Sequence, residues 1–228
     1  MQTARRRSRF DIRVIAAFLA LAVVAVFLAQ LLDHWAFESL YYPEAEHRDW
    51  ARMFRITGFL PTWLVVAAAM VLSTRGRASA ARTMLAALNL VGAAILGGLL
   101  AEGVKLLVRR ERPGDEWGAY VFRPFSDRPW STSDLAMPSS HAAVAFAAAF
   151  VLWKFYPRAG IVWLAIPIGC AATRLFDRAH YLSDMAGAAA CGLAAAWILA
   201  RLTGATRSES VIGFRAGSSR MGAGGGAG

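Results

Sequence analysis

The sequence predicts an all-α, polytopic membrane protein with six transmembrane helices, and three observations carry that prediction. Of its 228 residues 57% are hydrophobic and only 18% charged. The apolar residues gather into six runs: Val14–Leu32, Ile56–Leu72, Thr83–Val104, Ala142–Tyr156, Ala159–Thr173 and Met185–Leu202. The 25 Lys and Arg against 15 Asp and Glu are distributed very unevenly between those runs. So apolar a composition excludes a disordered chain and argues against an ordinary soluble domain. A pI near 10.7 invites a nucleic-acid reading, but the apolar content speaks against a nucleic-acid partner.

Val14–Leu32 is nineteen residues without a charge, enough to cross the ~30 Å hydrocarbon core of a bilayer. Arg5, Arg6, Arg7 and Arg9 precede it and give it the look of a secretory leader. Its length exceeds a signal core and no small-residue cleavage site follows, so it reads as a retained anchor. Ile56–Leu72, Thr83–Val104 and Met185–Leu202 are also of spanning length. Ala142–Tyr156 and Ala159–Thr173 have fifteen residues each, short of the usual ~17–25. Cys170 and Cys191 fall inside apolar runs and read as small packing residues.

Placing the N-terminus in the cytoplasm and alternating sides puts segments 1–13, 73–82, 154–158 and 201–228 on the cytoplasmic face. Those segments hold fourteen of the 25 cations and only Asp11 and Glu209 of the acids. That is a strong positive-inside asymmetry. It predicts a basic cytoplasmic N-terminus over 1–13, a membrane domain over 14–202 and a flexible cytoplasmic tail over 203–228.

Three polar segments on the opposite side do not read as simple loops. In Lys105–Pro113 the cations Lys105 and Arg112 are seven apart, so on a continuing helix they share a face until Pro113 stops it. Taken alone this is a snorkelling basic cap. In Met137–His141, Ser139 stands at a helix N-cap ahead of free backbone N–H groups, a ready anion site. His141 follows in the first turn, where it is equally a capping or interfacial histidine. In Arg174–Asp184, His180 and Asp184 are one helical turn apart, so the carboxylate can hold the imidazole in one tautomer. Together the segments supply cations, N–H donors, a nucleophile and an acid. A phosphoryl group in transfer requires that set, with negative charge spread over its equatorial oxygens.

The pattern K-x6-RP, PS-x-H and R-x5-H-x3-D, present as Lys105–Pro113, Pro138–His141 and Arg174–Asp184, resembles the type-2 phosphatidate phosphatase superfamily. That superfamily also contains lipid diphosphate phosphatases, glucose-6-phosphatase and vanadium haloperoxidases. The resemblance covers about 83–202 and implies six spans with the site on the outer face. It implies that His180 is the nucleophile forming a phosphohistidine, that Asp184 orients it, and that His141 protonates the leaving oxygen. It assigns phosphate binding to Lys105, Arg112, Arg174, Ser139 and the backbone N–H of Ser140, with no metal and no other cofactor. Two positions depart from the family pattern: Ser140 stands where Gly is usual, and Thr173 where Ser is usual.

The sequence therefore predicts a metal-independent membrane lipid phosphatase of the bacterial inner membrane, acting on the periplasmic side. Its partners are the bilayer and a lipid phosphate, with no protein partner expected. Candidate substrates are phosphatidate, phosphatidylglycerol phosphate, undecaprenyl diphosphate and the phosphates of lipid A. The loop 114–137, with Trp117, Tyr120 and Trp130, is expected to choose among them. Segment Asp33–Arg55 either lines a lateral entrance or is a plain interfacial helix. Phosphotransfer to a lipid or sugar hydroxyl is the alternative chemistry, and a catalytically silent membrane protein or transporter the alternative class.

Overall fold

The apolar runs form helices because a bilayer offers their backbone groups no aqueous competitor, although the second is broken at Phe59 and Pro167 stands inside the fifth. The structure, a computed structural model, describes residues 11–205. The Arg5–Arg9 leader and the glycine-rich end of the expected tail lie outside the described residues. Helix α1 (Ile12–Leu31) starts at Asp11, whose carboxylate accepts the Arg13 N–H at 2.9 Å. None of its residues is buried, so it presents apolar side chains all round and packs mainly along the last helix. Two short helices, α2 (Asp33–Ser39) and α3 (Asp49–Arg55), lead to α4 (Leu60–Ser73). They are followed by α5 (Ala80–Val108), α6 (Ser140–Phe155), α7 (Gly160–Phe176) and α8 (Leu182–Leu202). Extended pairing among the described residues is confined to two isolated bridges, Arg110 with Phe122 and Glu111 with Leu135.

The chain is a multi-pass membrane protein. Four segments are long and apolar enough to cross a bilayer: Ile12–Leu31, Ala80–Val108, Pro157–Phe176 and Leu182–Leu202. Asp49–Gly58 and Leu60–Ser73 make a fifth if they are one span broken by a bend of 79°. Helix α6 has sixteen residues and falls short of that length. All six apolar runs are therefore helical, while length and composition qualify four or five as spans.

Helix α6 is the hub. Six of its nine buried residues are alanine (Ala142, Ala143, Ala145, Ala147, Ala148 and Ala149), and α5, α7 and α8 close around it. Small residues permit such close approach where lipid offers no hydrophobic drive for helices to associate. A Cβ on Gly97 of α5 would stand 2.9 Å from the Ala147 Cβ. One on Gly192 of α8 would stand 2.7 Å from the Ala147 backbone nitrogen. These two glycines let α5 and α8 press on α6 from either side.

The alternating helices bring residues 32–59, 109–139 and 177–181 to one end of the bundle. There the Ser139 N–H donates to the Asp184 carbonyl at 3.4 Å and the Tyr42 N–H to the Phe176 carbonyl at 3.3 Å. At the other end Arg82 donates to the Phe155 carbonyl at 3.4 Å and Thr203 to Asn89 at 3.1 Å. All three polar segments singled out in the sequence lie at the first end.

Gly192→Ala should lower stability by about 1–3 kcal/mol, the usual range for overpacking. Gly103→Ala meets nothing within 4 Å and should be neutral or gain about 0.4–1 kcal/mol by restricting the unfolded chain. Thermal unfolding in detergent separates the two; equal midpoints would rule out the close-packing account.

Candidate active site

Lys105 lies in the last turn of α5, buried, with its ammonium 3.0 Å from Glu102 Oε1. The helix does not continue to Arg112 as the spacing suggested. It stops at Val108 because Arg109 turns left-handed, φ 56°. Arg112 thus sits on an extended segment, exposed, its N–H donating to the Asp134 carbonyl at 3.1 Å. It reaches the site from a loop and not from the helix face.

That turn is fixed by the Arg109 side chain, which is fully buried and donates to the carbonyls of Arg123 at 3.0 Å, Pro124 at 3.1 Å and Pro129 at 3.1 Å. One guanidinium thereby shapes the loop that follows α5. The tip of the loop leaves Phe122, Phe125 and Trp130 exposed, Trp130 at 85%. At this end of an apolar bundle such residues suit the bilayer interface.

A cis peptide bond joins Met137 to Pro138, and Ser139 is the N-cap residue of α6. The Ser139 side chain makes no capping bond; its hydroxyl is buried without a partner. Ser140, the departure from the family glycine, does not crowd the turn. Its hydroxyl donates to Glu102, the same carboxylate that holds Lys105. His141 follows in the first turn, half-buried, its ring in a T-shaped pair with Phe59, centroids 4.7 Å apart. Gly58 lies so close that a Cβ there would stand 2.7 Å from the His141 Cβ. The break between α3 and α4 therefore cradles this histidine.

Arg174 ends α7, buried, with one guanidinium nitrogen 3.4 Å from Asp177. Its Nε is buried with no partner. His180 is buried on the connection to α8, and its Nδ1 stands 3.2 Å from Asp184 Oδ2. The same oxygen accepts the Tyr181 N–H at 2.8 Å. With Nδ1 engaged, Nε2 is the ring nitrogen left for a reacting group. Burial pushes the His180 imidazole below its ordinary range; the hydrogen bond to Asp184 opposes this, while Arg174 and Arg112 add to it.

The residues expected from the sequence are thus gathered at one end of the bundle. The charges of Arg174, His180, Arg55 and Lys105 all act on His141, and those of Arg174 and Arg112 on His180. Such a cluster can bind a tetrahedral anion and present an imidazole nitrogen to it. No group of three or more His, Cys, Asp or Glu among the described residues is arranged to hold a metal ion.

Several residues of the site were not singled out by sequence reasoning. Glu102 had a signal, three residues before Lys105 and so on the same helix face. Arg55, on the segment before the α4 bend, had none. Arg110 and Asp33 are the largest omission. Arg110 is 2% exposed, and its Nη2 donates to Asp184 and, at 2.7 Å, to the Ser183 hydroxyl. Asp33 accepts the Ser183 N–H at 2.8 Å, the Ser183 hydroxyl at 2.6 Å and the Tyr120 hydroxyl at 2.9 Å. Burial raises the Asp33 acid above its usual range, against these three donors and the nearby Arg110. Trp117 covers this cluster, packed on His34, Phe37, Tyr120 and Tyr181.

Comparison with known proteins follows the same residues. The family model described as the PAP2 superfamily matches residues 86–208. Lipid A 1-phosphatases of Rhizobium etli and Rhizobium johnstonii are each 35% identical to this chain over 102 residues, 43% of its length. The match spans about two fifths of those relatives, 42% and 40% respectively. Among solved structures, the transmembrane PAP2-type phosphatidylglycerolphosphate phosphatase from Bacillus subtilis aligns with a TM-score of 0.52 at 15% identity. That alignment covers 86% of this chain and 98% of the other, and shows a shared fold.

Arg109→Ala should cost about 3 kcal/mol or more, since hydrogen bonds from a charged group contribute ~1.5–3 kcal/mol each. The loss should read out as a lower unfolding midpoint and as faster proteolytic cleavage within 122–130.

Proposed function

Because this chain belongs to the PAP2 superfamily, we propose that it is a membrane-embedded phosphatase that removes phosphate from a lipid headgroup through a phosphohistidine on His180. One observation carries the reading: a buried imidazole, held through Nδ1 on Asp184, stands among Lys105, Arg112 and Arg174 with His141 beside it. The buried, unpartnered Ser139 hydroxyl and Arg174 Nε are the donors that a phosphate oxygen would satisfy.

In the proposed reaction Nε2 of neutral His180 attacks phosphorus, and the bond to the leaving oxygen breaks. His141, protonated, gives its proton to that oxygen, then takes one from the water that hydrolyses the phosphohistidine. Asp184 accepts the Nδ1–H throughout and offsets the charge that develops on the ring. The three cations, Ser139 and the Ser140 N–H hold the equatorial oxygens, so no step requires a metal.

A glycosyl phosphate of the lipid A type is the first substrate to test, on the strength of the Rhizobium relatives. Phosphatidylglycerol phosphate, phosphatidate and undecaprenyl diphosphate complete the panel. In the proposed orientation the cation-rich end faces the cytoplasm of a bacterial inner membrane, and the site opens on the periplasmic side. Residues 14–202 are then the catalytic membrane domain.

Phosphate release from that lipid panel in detergent should persist in EDTA and fall by at least about 10³-fold in His180→Ala, as for loss of a catalytic nucleophile. Release that survives the substitution, or that EDTA abolishes, overturns the mechanism. The pH profile gives a second check. Burial lowers the pKa of His180, so the neutral nucleophile persists below the reference value of ~6.5. After correction for substrate ionisation, the acid limb of kcat/KM should lie below pH ~6.5; a limb above it contradicts an unprotonated, buried His180 as the attacking group.

A further inference from the structure

The Asp184 carboxylate has two oxygens and two duties. Oδ2 meets His180 and the Tyr181 N–H, while Oδ1 accepts from Arg110. Arg110 is itself enclosed. Its guanidinium carbon lies 4.9 Å from the centre of the Tyr120 ring and 4.8 Å from that of Tyr181. One terminal nitrogen reaches Ser183, and the other stands 3.9 Å from Asp33. Asp33 in turn holds both the N–H and the hydroxyl of Ser183, the residue next to Asp184. Asp33 lies outside residues 86–208, the stretch matched by the family model.

We propose that Arg110, anchored by Asp33, is a positioning residue that holds the Asp184 carboxylate, and through it the His180 ring, in the orientation for attack. The inference rests on the reading of His180 as nucleophile. Neither residue can reach a phosphate: Arg110 is 2% exposed and Asp33 1%, and both are occupied with one another and with Ser183 and Asp184.

The electrostatics give this role a signature that packing alone lacks. One cation, Arg110, is shared by two carboxylates, Asp33 and Asp184, so the cluster carries one surplus negative charge. That charge faces His180 from α8 and α2. On its other sides His180 meets Arg174 of α7, Arg112 of the loop after α5, and His141 of α6. Removing Arg110 leaves two unneutralised carboxylates and favours the protonated imidazole. Removing the charge of Asp33 leaves Arg110 opposite Asp184 alone and disfavours it. The two substitutions should therefore move His180 in opposite directions, whereas a scaffold role predicts no such reversal.

The test uses the full chain in detergent micelles with isotope-labelled histidine, of which there are four. His180→Gln identifies the resonance of His180. In Arg110→Gln the His180 titration should rise by about one pH unit, in line with the usual effect of a neighbouring charge. In Arg110→Lys it should rise less, and in Asp33→Asn it should fall. The acid limb of phosphate release should follow in the same directions. At optimal pH, Arg110→Gln should reduce kcat by about 10–100-fold, as for other partners of an oriented histidine, with KM nearly unchanged. If Arg110→Gln does not fold, Arg110→Met, which also removes the charge, carries the same contrast with Asp33→Asn. A His180 titration that is unmoved in the charge-removing Arg110 variant, or that moves the same way in it and in Asp33→Asn, overturns the proposal. Titrations that reverse as expected in a protein whose phosphate release survives His180→Ala would instead overturn the nucleophile assignment.

Discussion

The close approach of α5 and α8 to α6 governs everything at the polar end of the bundle. Lys105 ends one of these helices, Ser139 to His141 begin another, and His180 to Asp184 lead into the third. Their side chains meet because Gly97 and Gly192 admit α6 at distances that a Cβ would obstruct. With lipid on the outside, van der Waals fit replaces hydrophobic drive as the main helix-to-helix attraction. The alanine face of α6 is accordingly part of the site's construction. A larger side chain there would separate His180 from Lys105 and Ser139 without touching any of them.

A site assembled this way concentrates charge where solvent screening is weak, and the arrangement of acids follows from that. Lys105 is held by Glu102, Arg174 by Asp177, and Arg110 by Asp184 and Asp33. Each of these three cations has a carboxylate, which limits repulsion within the cluster, whereas the buried Arg109 is held by backbone carbonyls alone. Arg112 is the motif cation left exposed, and it comes from a loop. The three motif cations thus differ in setting: Lys105 is braced by a carboxylate on its own helix, Arg174 by the residue that caps its helix, and Arg112 stands on an exposed loop.

How much of this was legible in the sequence depends on the range of the interaction. Helices were readable because continuous apolarity is a local property, and all six runs are helical. The His180–Asp184 contact was expected from a four-residue helical spacing, and it forms although His180 precedes α8, which starts at Leu182. The Lys105–Arg112 relation was misread: helical spacing placed them on one face, but Arg109 ends the helix first. Its left-handed backbone is fixed by carbonyls fourteen to twenty residues downstream, which no local pattern reveals. Arg110 and Asp33 were invisible for the same reason. Among three neighbouring arginines, 109, 110 and 112, one organises a loop, one holds a carboxylate and one faces the site, and only tertiary contacts tell them apart. The family match agrees with the motif reading and could not reveal Asp33, which precedes the matched stretch.

The departure at Ser140 illustrates how such a site absorbs a change. Glycine at this turn leaves the backbone N–H open and adds no bulk. Serine adds a hydroxymethyl group that would crowd a bound phosphate if it turned toward it. Here the hydroxyl is drawn away by Glu102, which also steadies Lys105. The carboxylate thus does two compatible things: it keeps the added side chain off the N–H and fixes the neighbouring ammonium. An aliphatic residue of similar size would have no such partner and would have to pack wherever space allowed. A glycine would leave Glu102 with a weaker set of donors and Lys105 more strongly neutralised. Ser140 and Glu102 act as one unit, in which the carboxylate draws the added hydroxyl aside.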